Sequence, residues 1–445
     1  MRQAVVIIHG IGEQRPMQTL RAFVAGVLGE DESDLTLEKR IFSKPDRISD
    51  TLELRRLSVR PGKYGGNYEL SDETDFYELY WQHLMQGTTS RPVLEWALYL
   101  LFHPNKLNGR LRRVWRGVVA IIAAAAIALA VAMLVLKPLL AVGLAITVPA
   151  LLIGLRFLEW LAVGQVERLV LGFAGDAFRY LNPDPPNVQV RRAIRTAGLT
   201  LLRGLHEDEL RRYQRIILVG HSLGSVIAYD LITWFWQEQH DRVKVDLESG
   251  ERKTVVTRPL ESSPGADEDR SPLKRLDDPS SVEKFRKSQQ VLWRYYRRKR
   301  LPWLITDLVT LGSPLSHADV LMADGLEKLE VGKDQREFPT CPPQGEDCRD
   351  PGLLCRKYVD ANNREHKVRI LHHGAPFAIT RWTNLYFPAD IIGGPVSPLF
   401  GPGIKDVDLG SCCARSWRSH VQYWKRKCAC EELREALFAR VKPNP

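Results

Sequence analysis

The chain has 445 residues, of which 44% are hydrophobic and 26% charged, and its net charge at pH 7 is +10. This composition is that of a folded globular protein and excludes an intrinsically disordered one. The positive charge could suit nucleic acid, but there is no zinc-finger spacing, RNA-binding signature or basic helix with heptads. We therefore expect no nucleic acid as a partner, and an anionic membrane surface fits the charge at least as well.

The seven cysteines are an odd number, and the chain opens on the strand-like run MRQAVVIIHG. This opening lacks the basic start, apolar run and cleavage site of a secretory signal. We therefore expect reduced thiols in a cytosolic compartment and no disulfide framework. Four cysteines flank His420, so a zinc site is the alternative, but the sequence contains no CxxC pair.

Short apolar runs predict β-strands along the chain. The first, Ala4–Ile8, ends in the glycine-rich loop HGIG. The other predicted strands are Leu52–Val59, Phe76–Trp81, Ile216–Val219, Ile305–Leu311 and Thr383–Phe387. The clearest helical pattern runs from Leu223 to Gln239. Strands that alternate with helices predict an α/β fold, with a mostly parallel sheet and helices on both faces.

From Gly117 to Leu158 the sequence is nearly free of charge. A single helix of about 42 residues would be roughly 63 Å long, twice the hydrocarbon thickness of a bilayer. Two spans, Gly117–Leu136 and Leu139–Leu158, fit better because the proline of Lys137-Pro138 opposes one continuous helix. The run therefore predicts a transmembrane helical hairpin. A buried helical pair in a soluble cap is the alternative, but it would carry a polar stripe that this run lacks.

Arginines flank both ends of this hairpin. They are Arg110, Arg112, Arg113 and Arg116 before the first span, and Arg156 and Arg168 around the end of the second. By the positive-inside rule, both ends face the cytoplasm. We therefore expect a two-span membrane anchor, with the rest of the protein on the cytoplasmic side.

The segment Gly220-His221-Ser222-Leu223-Gly224 matches G-x-S-x-G, between the strand IILV and a predicted helix. A serine on such a tight strand-to-helix turn projects from the sheet, and its crowded backbone requires small neighbours. The amino end of the helix favours a developing negative charge. Ser222 is therefore the predicted nucleophile. A turn in a nucleotide-binding fold is the alternative, but no glycine-rich phosphate loop accompanies it.

The loop His9-Gly10-Ile11-Gly12 supplies a second element of the predicted site. Acyl transfer needs two backbone amides directed at the oxyanion, one after the nucleophile and one from a loop near the first strands. We predict that Leu223 gives the first amide and Ile11 the second.

The serine needs a base, and the base needs an acid that fixes its tautomer. In this class of fold, the acid and then the histidine follow the serine along the chain. Only His420 lies beyond the last strand-like runs, whereas His372 and His373 are expected in a loop or at a strand end. Asp390 is the predicted acid because it lies between an aromatic strand and the turn Gly393-Gly394-Pro395. The less favoured acids are Asp319, Asp406 and Asp408.

Five segments, HGIGEQ, GHSLGS, LGSP, RWTNLYFPAD and SHVQYW, occur in this order. Together they resemble the lipase and serine-esterase branch of the α/β-hydrolases, and within it the lipase-like serine esterases related to the PGAP1-type deacylases. The resemblance covers roughly residues 3–80, 170–240 and 300–440. It implies a Ser222–Asp390–His420 triad, with Ile11 and Leu223 at the oxyanion hole. The sequence departs from the pattern at Glu13, where many lipases carry a small residue, and in its long insertions.

The resemblance implies an α/β-hydrolase domain in three parts: 1–110, 169–240 with the nucleophile, and 301–445 with the acid and the histidine. The hairpin, 111–168, and a charged, partly disordered insertion, 241–300, separate these parts. The basic end of the insertion, 294–300, is expected to be a solvated face, with lipid head groups as the alternative contact.

The expected function is that of a membrane-anchored serine hydrolase of carboxylic esters, with acyl-lipid or other amphipathic esters as substrates. Its expected partners are the lipid bilayer and the ester, and no cofactor or metal is implied. A thioesterase or amidase with the same triad is one alternative. A catalytically silent membrane scaffold is the other.

Overall fold

The protein is described by a computed structural model. The residues that it describes are 2–11, 15–33, 35, 40–49, 53–65, 68–85, 109–136, 179–181, 185–208, 213–248, 282–298, 302–344, 353–359, 365–410 and 417–438.

Twelve strands are described in these residues. They are β1 (Arg2–Ile8), β2 (Ile41–Pro45), β3 (Arg55–Val59), β4 (Gly62–Tyr64), β5 (Tyr68–Leu70), β6 (Glu73–Leu79), β7 (Arg215–His221), β8 (Ile305–Leu311), β9 (Leu353–Val359), β10 (Glu365–Leu371), β11 (Arg381–Tyr386) and β12 (Lys405–Asp408). Eight of them form one sheet in the order β12-β11-β8-β7-β1-β6-β3-β2, and the others form the two-stranded pairs β4–β5 and β9–β10. The α-helices are α1 (Gln18–Leu28), α2 (Gly109–Leu136), α3 (Pro185–Glu207), α4 (Leu223–Glu248), α5 (Val282–Arg298), α6 (Ala318–Leu321), α7 (Leu326–Asp334), α8 (Ser397–Phe400) and α9 (Lys427–Phe438).

The large sheet is parallel from β12 to β6. Strand β3 runs antiparallel to β6, and the edge strand β2 pairs antiparallel with β3. The first strand of the chain lies in its centre, where Ile8 pairs with Gly220 of β7 on one side and with Leu79 of β6 on the other. The prediction of an α/β fold with a mostly parallel sheet is therefore confirmed. This register also brings the loop after β1 beside the turn after β7, because the carboxyl ends of parallel strands share one edge.

Helices cover both faces of the sheet, and the side chains of β1 alternate between them. Ala4, Val6 and Ile8 pack into one core with residues of α3 and α4. Val5 and Ile7 pack into the other core with residues of α1 and α9. A strand that is buried on both faces has a continuous apolar sequence, as β1 has from Ala4 to Ile8.

The charged insertion predicted at 241–300 is ordered over more of its length than expected. Helix α4 continues to Glu248, and α5 begins at Val282, before the return to order expected near Val291. In α5 the buried Gln289 side chain donates hydrogen bonds to the carbonyls of Phe377 at 2.6 Å and Thr380 at 2.9 Å. This helix is therefore part of the packed domain. Residues 249–281 lie outside the described residues.

Helix α2 includes the first predicted membrane span, whereas the second span, Leu139–Leu158, lies outside the described residues. In the portion of the chain covered by the description, we find no helix with the length and apolar character needed to cross a bilayer.

Candidate active site

Ser222 occupies the turn between β7 and α4, where its φ of 54° is in the left-handed region. This backbone conformation costs a non-glycine residue about 1–2 kcal/mol, so the surrounding structure must hold it. The Ser222 amide donates to the carbonyl of Leu311 at 2.9 Å, and the Ser225 hydroxyl donates to the carbonyl of Gly220 at 2.9 Å. A Cβ on Gly220 would lie 2.5 Å from the Gly224 carbonyl oxygen. The small residues around Ser222 are therefore required by the tight turn.

The loop after β1 lies directly against this turn. A Cβ added to Gly10 would be 2.7 Å from the Ser222 Cβ. The adjacent Ile11 is half-buried, and Leu223 is the first residue of the 26-residue helix α4. The two residues predicted to give oxyanion amides thus lie on the two segments that meet at Ser222. Gly12 lies outside the described residues.

His9 fixes the conformation of the same loop. Its ring stacks on Trp81 with centroids 5.0 Å apart, and its Nδ1–H donates to the carbonyl of Gly10 at 2.8 Å. The Trp81 indole donates in turn to the His9 carbonyl at 3.0 Å. Burial lowers the pKa of His9 to about 4, so its imidazole is neutral at physiological pH. His9 therefore supports the loop structurally.

Asp390 and His420, which are 30 residues apart, meet at the same edge of the sheet. The His420 Nδ1–H donates to Asp390 Oδ2 at 2.8 Å. This contact leaves Nε2 as the nitrogen that can accept a proton. Asp390 also accepts the Ile392 amide at Oδ1, at 3.0 Å. Burial alone would raise its pKa, but the hydrogen bonds from His420 and Tyr423 outweigh burial and lower the pKa of Asp390 to about 2.

The turn at Ser222, residues 220–224, is called the elbow, and the segment that carries His420, residues 417–424, is called the closing turn. The elbow holds the closing turn in place. The His221 Nε2–H donates to the His420 carbonyl at 2.7 Å, across 199 residues of sequence. The His221 ring also packs edge-on against Trp424, with centroids 4.8 Å apart. Burial, followed by the nearby His420, lowers the pKa of His221 to about 3, so this ring stays neutral. The sequence marked His221 only as a motif residue, whereas here it links the nucleophile segment to the histidine segment.

Ser222, Asp390 and His420 are all buried, with 1%, 1% and 8% of their surfaces exposed. Among the residues that the structure describes, the Ser222 hydroxyl has no hydrogen-bond partner, so it is not bonded to His420. Bonds between a nucleophile and its base are often long before substrate binds. The structure therefore brings the three side chains to one sheet edge and joins two of them directly.

The rival candidates make structural contacts instead. Asp406 accepts the Asn384 side-chain amide at 2.6 Å and the Val396 amide at 3.0 Å, which ties β12 to its neighbours. The His372 Nε2–H donates to the Gln344 carbonyl at 2.7 Å, and its Nδ1 accepts the Gly374 amide at 3.1 Å. Both nitrogens of His372 are thus engaged after β10, and Asp406 holds a loop together.

The structure offers little for a metal ion. Among the described residues no group of three His, Cys, Asp or Glu side chains is arranged to hold one. Within the same residues, Cys341, Cys428 and Cys430 form no disulfide bond. Comparisons with known protein families, with curated proteins and with solved structures find no match to this chain. The function of this chain must therefore be inferred from the geometry of the site.

Proposed function

We propose that this protein is a serine hydrolase that cleaves carboxylic esters through a covalent acyl-enzyme. The observation that carries the proposal is the 2.8 Å hydrogen bond between His420 and Asp390. The segment with His420 is itself bonded to the strained turn that carries Ser222, through His221. A serine that only packs the core has no need of a positive φ, because most other turns would place it without strain. The resemblance to lipase-like serine esterases points to the same chemistry.

In the proposed reaction, Ser222 Oγ attacks the ester carbonyl while His420 Nε2 takes its proton. The imidazolium is stabilised by Asp390, which remains ionised throughout. The tetrahedral oxyanion accepts the backbone amides of Leu223 and Ile11, and the amino end of α4 favours its charge. His420 then protonates the leaving alcohol, and water attacks the acyl-enzyme by the same route to release the acid and free Ser222.

A fluorophosphonate probe tests this chemistry, because it traps an activated serine covalently. We expect the wild type to be labelled and Ser222→Ala not to be. Ser288→Ala is the matched control, since Ser288 is half-buried on α5 and its hydroxyl donates to the Lys284 carbonyl of the same helix. Equal labelling of the wild type and Ser222→Ala would refute the proposal, as would an unlabelled wild type.

Thioesterase or amidase activity would use the same triad. Turnover of matched ester, thioester and amide substrates that share one acyl group distinguishes these activities, and the proposal expects the ester to be preferred. If the purified protein hydrolyses none of them, while its loss disturbs a membrane complex, then the silent-scaffold alternative is correct.

We also propose that the segment 111–168 anchors the protein to a membrane as a two-span hairpin, with the hydrolase domain on the cytoplasmic side. The support comes from the charge-free sequence between 118 and 136 and from exposed apolar side chains of α2, including Ile127 at 64% and Val131 at 52%. Exposed arginines, Arg112, Arg113 and Arg116, precede this apolar stretch. An anchor of this kind would keep the site close to acyl-lipid esters. Alkaline extraction of isolated membranes tests it, and release of the chain into the supernatant would contradict it.

A further inference from the structure

Tyr423 lies three residues after His420 and contacts the same carboxylate oxygen as the histidine does. Its hydroxyl donates to Asp390 Oδ2 at 2.8 Å, equal to the distance from His420 Nδ1 to that oxygen. The phenol oxygen also accepts the Phe387 amide at 3.2 Å. Because the amide occupies a lone pair of the phenol oxygen, the O–H is directed at Asp390.

The Asp390 carboxylate is closely surrounded by side chains and backbone. Tyr423 is fully buried, and its ring packs against Phe387 with centroids 4.8 Å apart. A Cβ on either Gly312 or Gly393 would lie 2.9 Å from Oδ2, so backbone closes in on the oxygen from two further segments. The imidazole and the phenol are the two side chains that donate to Oδ2, while the backbone of Ile392 and Gly393 also hydrogen-bonds the carboxylate.

We propose that Tyr423 is a positioning residue of the active site, whose hydroxyl holds the Asp390 carboxylate in the orientation that directs His420 toward Ser222. This inference rests on the proposed hydrolase function and adds a fourth side chain to it. The phenol withdraws part of the carboxylate's charge and prevents its rotation. Without the phenol, the carboxylate would rotate more freely and its charge would act more strongly on the imidazole.

The ionisable groups that face this carboxylate, among the described residues, are His420 and Tyr423 on the closing turn and His221 on the elbow. His221 stays neutral, so a change in the pH profile reports on Asp390 and the other two groups, His420 and Tyr423. Tyr423→Phe should reduce kcat about tenfold with KM nearly unchanged, because the carboxylate would orient the imidazole less well. The acidic limb of the kcat/KM profile should also move to higher pH, because a carboxylate without the phenol stabilises the imidazolium more strongly.

Tyr180→Phe is the matched control. Tyr180 is also buried, and its hydroxyl donates to Asp230 Oδ2 at the same distance of 2.8 Å. Asp230 lies on α4, and neither residue contacts Asp390 or His420 through a hydrogen bond described here. Tyr180→Phe should leave the pH profile at its wild-type position. If Tyr423→Phe also retains the wild-type kcat and pH profile, the inference is overturned.

A double-mutant cycle with Asp390→Asn separates positioning from simple packing. If Tyr423 acts through Asp390, Tyr423→Phe should cost about tenfold in the wild type and less than twofold in the Asp390→Asn background. Equal losses in both backgrounds would mean that Tyr423 only packs, which overturns the inference.

If Tyr423→Phe alone does not fold, the labelling rate of the double variant is compared with that of Asp390→Asn. A tenfold difference between these two rates counts against the inference. Fluorophosphonate labelling of the wild type is measured first, since its absence refutes the hydrolase itself and not the role of Tyr423.

Discussion

The two ends of the parallel strands hold buried carboxylates in opposite ways. Toward the amino ends, Asp307 lies between Arg215 at 2.6 Å and Arg381 at 2.7 Å. Asp75 on β6 has a similar setting between Arg2 at 3.0 Å and Arg56 at 2.7 Å. Burial would raise the pKa of both aspartates, but their hydrogen bonds and the arginines lower it.

At the carboxyl ends, Asp390 is held instead by an imidazole and a phenol. Arginine remains charged at every physiological pH, so the pairs at the amino ends are permanent. Imidazole can take up and release a proton near neutral pH, and this property suits catalysis. The carboxylates at the amino ends are therefore expected to stabilise the fold, whereas Asp390 has the partner that the proposed function requires.

The largest expected effect comes from breaking the carboxyl-end pair with Asp390→Asn. The amide cannot stabilise an imidazolium and allows the wrong histidine tautomer, so under the proposed function kcat/KM should fall about 10³–10⁴-fold, the size of loss known for a Ser-His-Asp triad. Ester turnover measures this loss, and thermal unfolding should show that the variant stays folded. Activity within tenfold of the wild type would mean that Asp390 is not the acid.

Asp307→Asn breaks the corresponding pair at the amino ends and should have the opposite result. It leaves Arg215 and Arg381 buried without their anion, which should cost about 3–5 kcal/mol in the free energy of unfolding. Labelling per folded molecule should stay at the wild-type level. Urea denaturation measures the first effect. Asp324→Asn is the control, because the exposed Asp324–Lys328 pair should contribute less than about 1 kcal/mol.

The sequence was sufficient to predict the elements whose signals are local. β1 contains the continuous apolar run Ala4–Ile8, and Ser222 lies in a motif between a strand and a helix. Asp390 and His420 followed from the order expected along the chain, and the structure brings them together.

Contacts between distant segments could not be predicted in this way. The hydrogen bond from His221 to the His420 backbone joins residues that are 199 positions apart, and no local sequence pattern predicts it. Tyr423 lies within the segment SHVQYW, but its hydroxyl reaches Asp390 only because this segment folds back onto the carboxylate. The helical start of α5 was missed because its buried polar residue, Gln289, is indistinguishable from a solvated one in a charged segment.

Strand β6 carries two buried carboxylates with different partners. Glu78 lies three residues after Asp75, but unlike Asp75 it has no arginine partner among the described residues. Its carboxylate accepts the Met17 amide at 2.7 Å, but burial outweighs this bond and raises the pKa of Glu78 from its usual 4.5 to about 7. Between these values the native state binds more protons than the unfolded state, so stability should fall as pH rises from about 4.5 to 7.

Glu78→Gln should abolish this part of the pH dependence, because the neutral amide has no charge to bury and can still accept the Met17 amide. The variant should be more stable than the wild type at pH 8, by about 3 kcal/mol at most, and close to it at pH 4.5. Urea denaturation at both pH values provides the measurement. If the wild type and the variant differ equally at the two values, Glu78 does not titrate in this window.

The smallest expected effect concerns the backbone strain at Ser222. The arginine-paired aspartates, Asp75 and Asp307, have no such left-handed backbone conformation. Ser222→Ala removes a buried hydroxyl but keeps a Cβ at a φ of 54°. Ser222→Gly relieves the left-handed strain as well, and glycine's greater freedom in the unfolded chain offsets part of this gain. Both variants should be inactive, and Ser222→Gly should be more stable than Ser222→Ala by about 0.5–1 kcal/mol in urea denaturation. If the Ala variant is instead the more stable of the two, the elbow is not strained, and the backbone argument for Ser222 as nucleophile loses its energetic basis.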